Sequence, residues 1–338
     1  MPDPQILALV VVVFLCAVFN FINGFNDAAN TVATTIGARA MTVPAALATA
    51  ALFNFLGAFI SHKVAYTVAT GVVDPQFMDA GLIMAALVAA IIWSLGAWSM
   101  GLPSSSSHAL IAALGGAALA KAAGEGGVMS VFNWAKLGDV IMALLASPLF
   151  GFVAGFAVFR FFTRVSLGIF THVSNFQVNR VFARLQKYSA AVMSLAHGAN
   201  DAQKTMGLMA LALFQAGATD KFEIPFWVTA LSAASISLGT LLGGLRVLKT
   251  VAKKITEMQP IHGFSAEFGG TTVILAASLL GMPVSTTHVV ISSVVGVGFS
   301  KSVHKTPRDT LLTIIRAWLL TVPATMAMAA GIYFAFMA

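Results

Sequence analysis

Two stretches, Ile6 to Phe19 and Leu82 to Ile92, consist of apolar residues alone, with no polar residue alternating among them. The strands of an outer-membrane barrel alternate over about 10 residues, and a surface helix of a soluble domain keeps one polar face, so neither describes such runs. They confine the chain to helices that satisfy their own backbone groups inside lipid or protein. Lys, Arg, Asp and Glu make up 9% of the 338 residues, where a soluble domain carries about 25%. Apolar residues make up 58%, enough for roughly ten spans at about 20 residues each. Apolar segments run near 5–38, 43–73, 80–101, 104–121, 137–163, 189–215, 225–247, 266–281, 284–301 and 310–337. A water-soluble fold is excluded, and an all-α polytopic membrane protein is expected. The net charge of +7 comes from basic residues lying between apolar runs rather than in one stripe. It points to the lipid bilayer surface and not to nucleic acid. Cys16 is the only cysteine, which forbids an internal disulfide.

No Lys or Arg precedes the first apolar run, so that run lacks the charged start of a cleavable signal peptide and is expected to be retained. Short loops rich in Lys and Arg stay cytoplasmic. Arg160, Arg164, Arg180, Arg184 and Lys187 mark the central linker as inside; Arg246, Lys249, Lys253 and Lys254 mark a second inside loop, and Lys301, Lys305 and Arg308 a third. Both termini then fall outside. The scheme requires 80–101 with 104–121, and 266–281 with 284–301, to form hairpins that return to their starting side. Each half therefore crosses an odd number of times, and two homologous halves of that kind are inverted relative to each other.

The duplication is visible in the letters. Gly24-Phe25-Asn26-Asp27-Ala28-Ala29-Asn30-Thr31 matches Gly198-Ala199-Asn200-Asp201-Ala202-Gln203-Lys204-Thr205 at an offset of 174. Gly101-Leu102-Pro103-Ser104-Ser105-Ser106-Ser107-His108 matches Gly281-Met282-Pro283-Val284-Ser285-Thr286-Thr287-His288 at an offset of 180. Two polar motifs in the same order at nearly one spacing define two inverted-topology repeats, 1–163 and 189–338. The linker between them, 164–188, reads either as an amphipathic helix on the cytoplasmic leaflet or as a plain loop. Segment 5–38 is too long for one straight span and polar in its middle. Two half-helices meeting at an unwound stretch are expected there and again at 198–201, with the hairpins meeting the broken helices at the membrane midplane.

An Asp inside an apolar segment costs several kcal/mol unless it is paired or wet. Asp27 and Asp201 therefore call for a partner. With Asn26, Asn30, Asn200 and opened backbone carbonyls they would form hard oxygen sites for Na+; alternatively the carboxylates carry a proton, or they only cap half-helices. In the second motif Pro is expected in the first turn of a new helix. The hydroxyls of Ser105, Ser106, Ser107, Ser285, Thr286 and Thr287, with the free N–H groups and the helix dipole, make a neutral cradle for a small tetrahedral oxyanion. Lys204 could reach that anion or neutralise Asp201. Glu267 could bind a coupling cation or reach water from a helix end. Arg316 is expected to pair with a carboxylate or with carbonyls. His108 and His288 read as hydrogen-bonded packing residues or as proton carriers. The GxxxG spacings at Gly151–Gly155 and Gly239–Gly243 indicate close helix packing, a dimer face included.

On these two motif pairs the chain closely resembles the inorganic phosphate transporter (PiT) family of cation-coupled phosphate symporters, over nearly its whole length. The resemblance implies inorganic phosphate as substrate, bound between the two hairpins and the two broken helices, with Asp27 and Asp201 handling cation and phosphate. It also implies a unit that rocks against a scaffold within a homodimer, no cofactor, and Na+ or H+ as coupling ion. Phe25 stands where the family motif commonly has Ala. Asn54 stands where sodium-coupled members tend to have Glu, and resembles the bacterial low-affinity, proton-coupled type; Glu267 resembles the sodium-coupled pattern. The short central linker lacks the large insertion of animal members, which implies a prokaryotic plasma membrane.

The expected function is thus a secondary symporter that imports phosphate with a cation by alternating access. The rivals are a symporter for another oxyanion such as sulfate, a passive anion channel and an intramembrane hydrolase. The last is disfavoured because Ser104 to Ser107 directly precede His108, and adjacent helix residues do not face each other.

Overall fold

The computed structural model describes residues 3–125, 127–169, 174–243, 258–301 and 308–337. Helices dominate the described residues: α1 (Pro4–Gly37), α2 (Val43–Gly57), α3 (Lys63–Gly71), α4 (Ala80–Met100), α5 (Ser106–Glu125), α6 (Val128–Val131), α7 (Trp134–Ile169), α8 (Asn175–Gln215), α9 (Phe226–Leu242), α10 (Pro260–Leu280), α11 (Thr286–Lys301) and α12 (Arg308–Met337). The chain is a polytopic membrane protein. Within the described residues five helices are long and apolar enough to cross a membrane: α1, α4, α7, α10 and α12. Segment 43–73 is two helices, α2 and α3, separated at Ala58–His62. Of the stretch 164–188, residues 164–169 end α7 and 175–188 begin α8, where Ser174 and Gln177 form a capping box; residues 170–173 lie outside the described residues. The basic residues Arg246, Lys249, Lys253, Lys254 and Lys305 lie outside the described residues.

Apolar residues face outward and polar ones inward, the reverse of a soluble fold. Along α1, Ile6, Leu7, Val10 and Phe14 are exposed, whereas Asn20, Asn23, Asp27, Thr31, Thr34 and Thr35 are buried. α7 and α12 likewise present Leu145, Leu149, Phe150, Leu319 and Leu320 to the surroundings. Lipid is as apolar as leucine, so removing a side chain from it yields little; close contact between small residues has to hold such helices together.

Four of the most extensive helix packings come in exchanged pairs. α1 packs on α9 and α8 on α2; α5 packs on α12 and α11 on α7. The glycines show the same exchange at atomic scale. A Cβ on Gly24 would run into the carbonyl of Ile236 and one on Gly198 into that of Asn54; one on Gly116 would meet Met326 and one on Gly296 would meet Phe152. Each member of a pair maps onto the other through the offsets near 174 and 180.

Two expectations are corrected here. First, α1 and α8 are continuous through Asn23–Asn26 and Gly198–Asp201, with no unwound stretch. Gly24 and Gly198 serve close approach of a neighbouring helix and do not open the backbone, so the carbonyls stay bonded and neither Asp27 nor Asp201 caps a half-helix. Secondly, the GxxxG glycines are occupied within the chain. Gly151 and Gly155 lie against Val289 and Ser293 of α11, Gly239 and Gly243 against Phe21 and Phe25 of α1, so they do not form a dimer face.

Candidate functional site

The motif Gly-x-Pro-x-Ser builds a hairpin tip. Gly101 and Gly281 end α4 and α10 at φ 67 and 77, the left-handed conformation that favours glycine at a helix end. Pro103 and Pro283 stand in the turn, two residues before the serines that begin the next helix, and not in its first turn as expected. Ser105 and Ser285 are the N-caps: each hydroxyl accepts the N–H three residues on, from His108 and His288, at 3.2 Å in both cases. The two tips touch. Ser107 Oγ donates to the carbonyl of Val284 at 2.7 Å, and the rings of His108 and His288 lie 4.6 Å apart. His108 Nδ1 bonds Ser105 Oγ at 2.9 Å, and His288 packs on Trp318 at 3.7 Å. Both histidines pack the joint between the tips.

Below the tips, α1 and α8 bring Asp27 and Asp201 together. Both are buried. Asp27 Oδ1 accepts from Asn30 Nδ2 at 2.6 Å and from Thr287 Oγ1 at 2.9 Å. Asp201 Oδ2 accepts from Asn23 Nδ2 at 3.0 Å and Thr286 Oγ1 at 3.2 Å, and Asp201 Oδ1 pairs with Lys204 Nζ at 2.7 Å. Lys204 therefore neutralises Asp201. His197 lies between the carboxylates, its Nε2 3.6 Å from Asp27 Oδ2 and 3.4 Å from Asp201 Oδ2. Its Nδ1 is held by Asn54 Oδ1 at 3.0 Å, and Asn54 Nδ2 donates to Thr240 Oγ1 at 2.8 Å.

Ligand atoms of Asp27, His197 and Asp201 all lie within 4.8 Å of one another, a spacing that a cation could bridge. Two carboxylate charges that close repel by about 3 kcal/mol at an effective dielectric of about 20. A positive charge between them removes that cost. The donors fit a hard cation on one side in particular: Asp27 Oδ2, Asn23 Oδ1 and Asn26 Oδ1 are buried oxygens without a hydrogen-bond partner. Asp27, Asn23, Asn26 and Asn30 also line a cavity of about 30 Å³ with Ser104 and Ser106 of the first tip. Asn26 keeps its amide on the carbonyl of Ser94 at 3.2 Å.

The second repeat is closed at the corresponding place. Asn200 Nδ2 donates to Ser278 Oγ at 3.0 Å and to the Met282 carbonyl at 3.3 Å, and Asn200 Oδ1 accepts from the Val284 N–H at 3.4 Å. Of the residues expected at the site, Asn26, Asp27, Asn30, Asn200, Asp201, Lys204 and the tip residues Ser105, Ser106, Ser107, Ser285, Thr286 and Thr287 are gathered in this region. Glu267 sits in a separate nest. Its Oε1 accepts from Thr34 at 2.5 Å, Thr35 at 2.6 Å and Gln186 at 3.1 Å, and its Oε2 from Ser189. It is buried inside α10, which starts at Pro260, and so it does not reach water from a helix end. Arg316 is on the exposed face of α12.

His197 and Asn23 were not singled out from sequence. Each stands four residues before its carboxylate, one helical turn away, and they correspond at the offset of 174; extending the repeat alignment by one residue would have found both.

A model of the phosphate transporter family matches residues 23–329. The chain is 40% identical over 333 residues to the "probable low-affinity inorganic phosphate transporter" of Bacillus subtilis (strain 168), covering 97% of each. It is 41% identical to the protein of the same name from Rhizobium meliloti (strain 1021), covering 98% of this chain and 96% of the relative. Among solved structures, "the sodium-dependent phosphate transporter" superposes with a TM-score of 0.87 at 29% identity, over 98% of this chain and 99% of the other. These relatives are named as transporters, not as enzymes, and the chain belongs to the phosphate transporter family.

Proposed function

We propose that this protein imports inorganic phosphate together with a cation across a bacterial plasma membrane by alternating access. The observation that carries the reading is the bonding of Thr286 and Thr287, at the second hairpin tip, to Asp201 and Asp27 on α8 and α1. The groups suited to an oxyanion and the groups suited to a cation are thereby one hydrogen-bonded unit. A buried anion placed next to two carboxylates is expensive unless a cation comes with it, so occupancy by one ion raises affinity for the other.

The contrast between the halves supports alternating access. The cavity beside Asp27 belongs to the first repeat, while Asn200 ties the second tip shut. Exchanging these two arrangements between the repeats would expose the site to the opposite side. In this reading the junction of α7 and α8 is cytoplasmic and both termini are outside, which the basic residues flanking that junction support.

Purified protein in proteoliposomes, given a Na+ gradient and a pH gradient separately, tests this. Phosphate should accumulate above its external concentration under at least one of them. Uptake that only equilibrates would make the protein a channel, and equal competition by sulfate would make the substrate a broader class of oxyanion.

A further inference from the structure

Asn30 and Lys204 occupy equivalent places in the two repeats, each three residues after its carboxylate. Their bonds correspond as well: Asn30 Nδ2 reaches Asp27 Oδ1 at 2.6 Å and Lys204 Nζ reaches Asp201 Oδ1 at 2.7 Å. Each carboxylate also takes one tip threonine. The half-sites thus share a plan and differ in charge.

At Asp27 both hydrogen-bond donors, Asn30 and Thr287, are neutral, and the buried Oδ2 accepts no hydrogen bond and faces only His197 Nε2 at 3.6 Å, a nitrogen that it shares with Asp201. At Asp201 both oxygens are engaged, one of them by an ammonium group that is itself 0% exposed. A second cation brought to Asp201 would lie beside that fixed charge at a fully buried site, where charges are screened little, and would be excluded.

We infer that Lys204 is a tethered cation that permanently fills one of two equivalent cation half-sites, so that only the Asp27 half-site takes an exchangeable cation in each cycle. The inference rests on the cation-coupled reading above and adds its stoichiometry: the repeats are symmetric in carboxylates, but one of their two compensating charges is part of the protein. His197 faces both carboxylates. It is present in the wild type and in both variants below, and a proton that it gains when Lys204 is removed is read by the pH-gradient arm.

The test is the charge moved per phosphate, read in proteoliposomes from the membrane potential at which net uptake reverses, with the potential clamped by K+ and valinomycin. Lys204→Asn should raise the ratio by one charge per phosphate, and separate Na+ and pH gradients show which ion supplies it. Lys204→Arg, which keeps the tethered charge, should hold the wild-type ratio. A transporting Lys204→Asn protein with an unchanged ratio overturns the inference. Wild-type protein that never concentrates phosphate would instead defeat the coupled reading itself. If Lys204→Asn folds without transporting, its melting temperature in detergent decides. A rise with NaCl or with falling pH steeper than the wild type's supports the tethered cation, and a rise no steeper than the wild type's overturns it.

Discussion

Asn23 of α1 donates its side-chain amide to Asp201 of α8 at 3.0 Å, across 178 residues of sequence and from one repeat to the other. The acceptor oxygen is the one that Thr286 also reaches, so two helices and one hairpin tip converge on a single carboxylate. Removing a donor to a buried charged group costs about 1.5–3 kcal/mol. Asn23→Ala should therefore lower the melting temperature and reduce phosphate uptake about tenfold or more in reconstituted vesicles. Asn23→Ala with wild-type uptake would place Asp201 outside the transport site.

The close approaches at Gly24 and Gly198 make a second prediction. Alanine at either position puts a methyl group onto the backbone carbonyl of Ile236 or Asn54, in helices held mainly by such contacts. Backbone cannot give way as a side chain can, so each substitution should destabilise by about 1–3 kcal/mol. Gly37→Ala is the control: nothing lies within 4 Å of a Cβ there, and the change should be neutral or slightly stabilising. Thermal unfolding in one detergent compares all three.

These glycines also show what the sequence could and could not convey. Gly24 and Gly198 announced themselves by recurring beside Asn-Asp, and in the structure the two carboxylates of those motifs lie near each other. Their physical role could not be read from the same letters, because opening a helix and admitting a neighbour both call for the absence of a side chain. The tip motif was legible as a helix start next to hydroxyls, but which serine caps depends on where Gly101 and Gly281 end the preceding helices. Glu267 was visible as a buried charge. Its partners were not, since Thr34, Thr35, Gln186 and Ser189 come from helices distant in sequence and share no pattern with it.

That nest supports a third prediction. Four donors from α1 and α8 converge on the Glu267 carboxylate. In Glu267→Gln one acceptor oxygen becomes a donor, and the surviving bonds lose their ionic partner, so a loss of about 1.5–3 kcal/mol is expected. Glu267→Ala, which leaves all four donors facing a void, should cost more. Because the nest joins α1, which carries Asp27, to α8, which carries Asp201, uptake should fall in both variants in the same order as stability. Uptake retained in Glu267→Ala would show that the junction plays no part in transport.

The hydroxyls of the two tips should separate into two classes. Ser105 and Ser285 spend theirs on the N–H groups of His108 and His288, so Ser105→Ala and Ser285→Ala should each cost about 1 kcal/mol of stability. Thr286 and Thr287 spend theirs on the carboxylates. Valine there keeps the shape and removes the link between the oxyanion cradle and the cation site, so Thr286→Val and Thr287→Val should raise the KM for phosphate and the cation concentration needed for half-maximal uptake together. If the cradle and the cation site acted independently, the threonine variants would move the phosphate KM alone. Measuring both concentration dependences on each of the four variants, with melting temperatures alongside, tells a cap from a coupling residue.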